Sequence, residues 1–142
     1  MKMILMFAMF AALAACGQQE TVQTAQSPAA QGALAPAGDR IQLPDGGWFT
    51  WEFAEKPKLG TAIMKVQVYD KAGTRATPYD VIGEYGMPSM RYHDSGPVKF
   101  QLNRKGDYLL PVNIVMAGEW EVLIRLLDGK EKIYEGKVLF TI

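Results

Sequence analysis

Of the eight methionines in this 142-residue sequence, four follow residue 16, and the whole chain holds one histidine and one cysteine. Two of those methionines and the histidine fall within nine letters, GMPSMRYHD, Gly86 to Asp94. Thioethers are soft, neutral donors that suit Cu(I), and imidazole suits copper in either oxidation state. Pro88 pre-sets φ at the second position of a type I or II turn, whose first and fourth Cα atoms lie within about 7 Å. Such a turn over Met87-Pro88-Ser89-Met90 lets both thioethers converge, which a straight strand forbids at that spacing. His93 follows three residues later, near enough for a loop to fold it back. Met116, directly before Ala117-Gly118-Glu119-Trp120, is a candidate fourth donor if its rim is the one that carries the MPSM loop. Each residue also has a plainer reading. Methionine fills gaps and packs on aromatics, and Tyr85, Tyr92 and Trp120 are close. His93 beside Asp94 reads as a solvated loop pair, and the parity of Met116 fits a core residue at a sandwich rim. Met64 lies inside an alternating strand on its apolar face and is expected in the core.

Other chemistry finds little material. With a single histidine and no usable thiol, nucleophile–base arrangements are short of residues. No phosphate-cradling glycine loop or metalloprotease spacing occurs. Asp80 and Glu84 share the polar face of a strand and read as solvated surface. These features point away from an enzyme. Lysine plus arginine equals aspartate plus glutamate, 15 against 15. No basic stripe is visible, so nucleic acid is not an expected partner.

The candidate donors need a frame, and alternation supplies it. Apolar residues recur every second position in segments separated by turn residues every eight to twelve, the cadence of an all-β sandwich. The segments are Trp48–Phe53, Thr61–Tyr69, Asp80–Tyr85, Val98–Leu102, Tyr108–Met116, Trp120–Leu126 and Val138–Ile142. Leu43–Trp48 reads as a turn opening the domain and Asp70–Pro78 as a loop. Asn103–Asp107 reads as a hairpin turn with Gly106 at positive φ, and Asp128-Gly129 as a two-residue hairpin. About seven strands in a hundred residues match the size of an immunoglobulin-like β-sandwich. The Cys-Trp-Cys mark of antibody domains is absent.

The N-terminus reads differently. Lys2 precedes an apolar run, Met3–Leu13, too short to span a bilayer. Leu13-Ala14-Ala15-Cys16 then has the form of a bacterial lipobox, so residues 1–15 are expected to be a lipoprotein signal peptide. Cys16 is the expected lipidation site, and being the only cysteine it excludes a disulfide framework. Multiple acyl chains on it would anchor stably. Gly17 after the cysteine fits outer-membrane sorting in a Gram-negative host, facing the periplasm. Residues 16–38, rich in Ala, Gln, Gly and Pro, are expected to be the lipidated cysteine and a flexible tether. The domain is expected over 39–142.

The string MPSM with a histidine shortly after, then GDY (Gly106–Tyr108), then MAGEWEVLI (Met116–Ile124), resembles the YtkA-like/FixH family of small extracytoplasmic domains. The resemblance spans roughly Lys58 to Leu127. It implies an immunoglobulin-like sandwich and a link to copper handling or terminal-oxidase assembly, with Met87, Met90, His93 and Met116 as candidate ligands. The chain departs from the family pattern where Arg91 and Tyr92 separate Met90 from His93, and where a lipid tether replaces the transmembrane helix of the oxidase-assembly branch. The expectation is a lipid-anchored copper-binding module, Cu(I) favoured, exchanging its ion with a copper donor or acceptor protein. A metal-independent envelope interaction domain is the alternative.

Overall fold

The computed structural model describes residues 32–142. Their chain is all-β, two five-stranded sheets packed as a sandwich. In chain order the strands are β1 (Gly32–Ala33), β2 (Ile41–Gln42), β3 (Trp48–Phe53), β4 (Gly60–Tyr69), β5 (Asp80–Gly86), β6 (Val98–Lys99), β7 (Gln101–Leu102), β8 (Tyr108–Ile114), β9 (Glu119–Asp128) and β10 (Glu131–Thr141). One sheet has the order β1-β10-β9-β5-β6 and the other β2-β3-β4-β8-β7. Every pairing is antiparallel except β1 with β10.

Alternation builds the core. Met64, Val66 and Val68 of β4, Leu110, Val112 and Ile114 of β8, and Val122, Ile124 and Leu126 of β9 turn inward and are buried. Between them lie Phe49 and Val81, also buried. Met64 is fully buried, as its strand position requires. Aromatic edges close one side, with Phe53 edge-on to Phe140 at 5.0 Å and Phe49 edge-on to Tyr134 at 4.9 Å. Lys65 and Gln67 sit on the outward parity of β4, Lys65 pairing with Glu52.

Three expectations are corrected. The folded unit begins upstream of residue 39. Gly32 and Ala33 pair with Gly136 and Lys137, Leu34 is buried, and the Trp51 indole N–H donates to the Ala35 carbonyl (2.9 Å). Residues 32–38 are therefore part of the sandwich; the segment expected to be a signal peptide, the expected lipidation site Cys16 and the rest of the expected tether lie outside the described residues. Second, Val98–Leu102 is not one strand. Its first half pairs with β5 and its second with β8, and the chain changes sheets at buried Phe100. An alternating pattern cannot show this, because the inward parity serves either sheet. Third, Asp128 pairs with Glu131, so the last hairpin turns on Gly129-Lys130 instead of Asp128-Gly129, with Gly129 at positive φ. Gly106 takes positive φ in its hairpin as expected.

The register fixes which loops share an end. Gly60 pairs with Ile114, Gly86 with Glu121, and Thr141 with Glu119. The β3–β4 loop, the β5–β6 loop, the β8–β9 turn and the end of β10 therefore lie at one end of the sandwich. The β9–β10 hairpin lies at the other.

Candidate metal site

The loop that holds Met87, Met90 and His93 is stapled at its base. The Ser95 N–H donates to the Tyr85 carbonyl (2.8 Å), and the Tyr85 N–H donates to Ser95 Oγ (3.0 Å). Residues 86–94 thus form a closed excursion from the end of β5. Gly86 is required there, because a Cβ at that position would collide with Asp94. Within the loop the Met90 N–H donates to the Met87 carbonyl (2.9 Å), closing the turn that Pro88 predicts. The His93 N–H then donates to the Met90 carbonyl (3.0 Å), and Arg91–His93 form a single 3-10 turn.

The side chains divide by burial. Met87 is 6% exposed and belongs to the core cluster. Met90 is partly buried against that cluster, and His93 is exposed. Met116 is 39% exposed, so its parity as a core residue does not hold. β8 stops at Ile114, and Val115 and Met116 lie in the turn beyond it.

That turn is itself held firmly. The Trp120 indole N–H donates to the Met116 carbonyl (3.0 Å). Gly118 exchanges backbone hydrogen bonds with Ile142 in both directions. Gly118 has φ +140°, and a Cβ built on it would lie only 2.6 Å from the Met87 methyl carbon. Met87 is thus packed directly against the turn that carries Met116. The MPSM loop and the Met116 turn share one rim, the condition on which Met116 was a candidate donor. The structure brings Met87 to the Met116 turn and keeps Met90 and His93 on the same stapled loop. Among the described residues no group of three or more His, Cys, Asp or Glu side chains is placed to hold a metal ion.

Sequence reasoning missed what lies beside the loop. A cavity of about 310 Å3 is walled by Met87 and Pro88 on one side and by outward side chains of β5, β9 and β10 on the other, Glu84, Glu121, Arg125 and Lys137 among them. Four of its charged side chains are tied in ion pairs. Arg125 donates to Glu84 (3.0 Å) and to Glu135 (2.6 Å), and Lys137 pairs with Glu121 (3.0 Å). Burial opposes ionisation of Glu135, but hydrogen bonds from Arg125 and Lys132 outweigh it and hold the carboxyl below its usual range. The only sequence signal for this lattice was outward parity, which every surface strand shares.

Comparison with known proteins gives no family model and no curated protein that matches the chain. Solved structures of similar outline include FetP from uropathogenic Escherichia coli, 12% identical, covering 76% of this chain and 95% of that one, with a TM-score of 0.47. A copper-bound variant of Campylobacter jejuni P19 is also 12% identical, covering 76% and 96%, with a TM-score of 0.46. A copper-bound variant of FetP is 8% identical, covering 75% and 93%, with a TM-score of 0.45. No helix among the described residues is long and apolar enough to cross a membrane.

Proposed function

We propose that this chain is an extracytoplasmic copper-binding module that holds Cu(I) through Met87, Met90 and His93, with Met116 as a fourth donor, and is anchored through a lipid on Cys16. The observation that carries the reading is the packing of Met87 against Gly118, which sets the MPSM loop on the turn bearing Met116. Three thioethers and one imidazole are a soft donor set, matched to Cu(I) over hard divalent ions. Methionine keeps that softness in an oxidising compartment where thiols are at risk of oxidation. The chain's own part is to bind and release. The buried Met87 and the hydrogen-bonded turns hold the frame, while exposed His93 and Met116 leave an open side through which an ion is exchanged with a donor or acceptor protein. The YtkA-like/FixH resemblance belongs to the same reading, as does copper homeostasis or delivery to a cuproenzyme.

Anaerobic Cu(I) titration of the native protein and of Met87→Ala/Met90→Ala tests it. One ion per native chain and a loss of at least tenfold in affinity in the variant are expected, about 1.4 kcal/mol. Equal stoichiometry and affinity would remove the proposal. A metal-independent interaction domain is the second reading, favoured by the full exposure of Tyr92 beside the loop.

A further inference from the structure

The thioethers of residues 32–142 stand in graded surroundings. Met64 is wholly buried in β4, and Met87 is 6% exposed within the core cluster. Met90 is partly buried against that cluster, and Met116 is 39% exposed in the turn after β8. All four carry the same side-chain chemistry, so access decides which of them meets a dissolved oxidant first.

Oxidation has opposite consequences at the two ends of this range. A sulfoxide adds one oxygen and turns an apolar side chain into a polar one. At Met64 that oxygen would enter a closed core. At Met87 it would enter packing so close that a Cβ on Gly118 lies 2.6 Å from the methyl carbon. Met116 belongs neither to the core cluster nor to the side chains packed on it. Its turn is held by other groups: the Met116 carbonyl accepts from the Trp120 indole (3.0 Å), and Gly118 and Ile142 exchange backbone hydrogen bonds. None of these bonds uses the thioether, so the turn keeps its form when the sulfur is oxidised. What changes is the donor. A thioether is soft and matches Cu(I), whereas a sulfoxide offers a hard oxygen.

We propose that Met116 is a site of reversible sulfoxidation by hydrogen peroxide, and that oxidation there loosens the domain's hold on Cu(I) while the fold stays intact. The loosening rests on the copper reading above; the site of oxidation does not. A sulfur lone pair attacks one peroxide oxygen, and the S–O bond forms as the O–O bond breaks. The other oxygen takes up the proton of the first and leaves as water. Sulfur gives up two electrons and the peroxide gains them. A methionine sulfoxide reductase reverses the step with two thiols, which become a disulfide as the sulfoxide oxygen leaves as water. Met87, buried throughout, keeps the frame, so the site weakens and recovers without being rebuilt.

The full chain, treated with hydrogen peroxide in metal-free buffer, tests the site by mass mapping over time. Met116 is expected to oxidise at least about tenfold faster than Met87 or Met64, and ahead of Met90. Oxidation of any of those three as fast as Met116 overturns the site. Protein oxidised at Met116 is then titrated anaerobically with Cu(I) and unfolded in urea. A loss of about fivefold or more in affinity is expected, with the unfolding midpoint unchanged and the affinity restored by the reductase. Met116→Leu is expected to start from the lowered affinity and to lose no more after peroxide. Unchanged affinity in the oxidised native chain, a lowered midpoint, or an equal peroxide loss in Met116→Leu overturns the loosening. A native chain that takes up no Cu(I) sinks the copper reading and the loosening with it. The order of oxidation, measured without metal, decides the site on its own, so the two failures are told apart.

Discussion

Gly118→Ala should damage this protein through Met87. Two costs follow from the structure. The backbone at Gly118 has φ +140°, a region that side-chain-bearing residues rarely adopt, costing on the order of 1–3 kcal/mol. The added Cβ would also lie 2.6 Å from the Met87 methyl, an overpacking that adds roughly 1–3 kcal/mol unless the side chain moves. Removing Met87 abolishes the second cost only. Met87→Ala alone loses a buried side chain, about 2 kcal/mol at this rim position. The double variant should then be less damaged than the sum of the singles, by at least about 1 kcal/mol. Urea unfolding of the four proteins, followed by tryptophan fluorescence, reads this as a midpoint difference. Trp120, bonded to the Met116 carbonyl, reports on the same turn. Additivity within about 0.3 kcal/mol would mean that Met87 and Gly118 are not packed together. The reason for placing Met116 near the MPSM loop would then be gone.

Other outcomes follow from the same structure. Asp107 accepts hydrogen bonds from Gln67, Arg75 and Asn103, which bring its carboxyl down to about 2. A carboxyl depressed in the folded state contributes stability above its unfolded value, near 3.8, and loses it as pH falls toward 2. Asp107→Asn should therefore cost about 1–2 kcal/mol at pH 7 in urea unfolding and little at pH 2. Leu34→Ala should cost about 2–3 kcal/mol, because Leu34 is buried and the sandwich begins at Gly32; a loss under about 0.5 kcal/mol would restore residues 32–38 to a mere tether. His93 is exposed, so His93→Gln should leave the unfolding midpoint within about 0.5 kcal/mol of native while weakening copper binding.

Much of the frame was legible in the sequence because a half-buried strand repeats every two residues. The long strands β3, β4, β5, β8 and β9 follow the alternating segments to within a few residues. What escaped were the two-residue β1 and β2, shorter than any period can reveal, and Glu131–Lys137, the first part of β10, since only Val138–Ile142 reads as strand there. GALAPAG (Gly32–Gly38) has the composition of a linker, and its place in the fold depends on one buried leucine, the pairing of β1 with β10, the Leu34 and Gly38 N–H groups that donate to the Lys137 and Trp51 carbonyls, and the Ala35 carbonyl that accepts from the Trp51 indole. Phe100 keeps its inward parity whichever sheet its neighbours join, so the crossing there leaves no trace in the pattern. At the candidate site, Pro88 announced the Met87–Met90 turn. The burial of Met87 and the exposure of Met116 were not announced, since they depend on how loops distant in sequence meet at the rim.

X-ray absorption at the copper edge of the anaerobically loaded full chain tests the central claim most directly. The account predicts Cu(I) with sulphur scatterers beside the metal, fewer in Met116→Leu and fewer again in Met87→Leu/Met90→Leu. A spectrum of oxygen and nitrogen neighbours alone, unchanged by these substitutions, would contradict it.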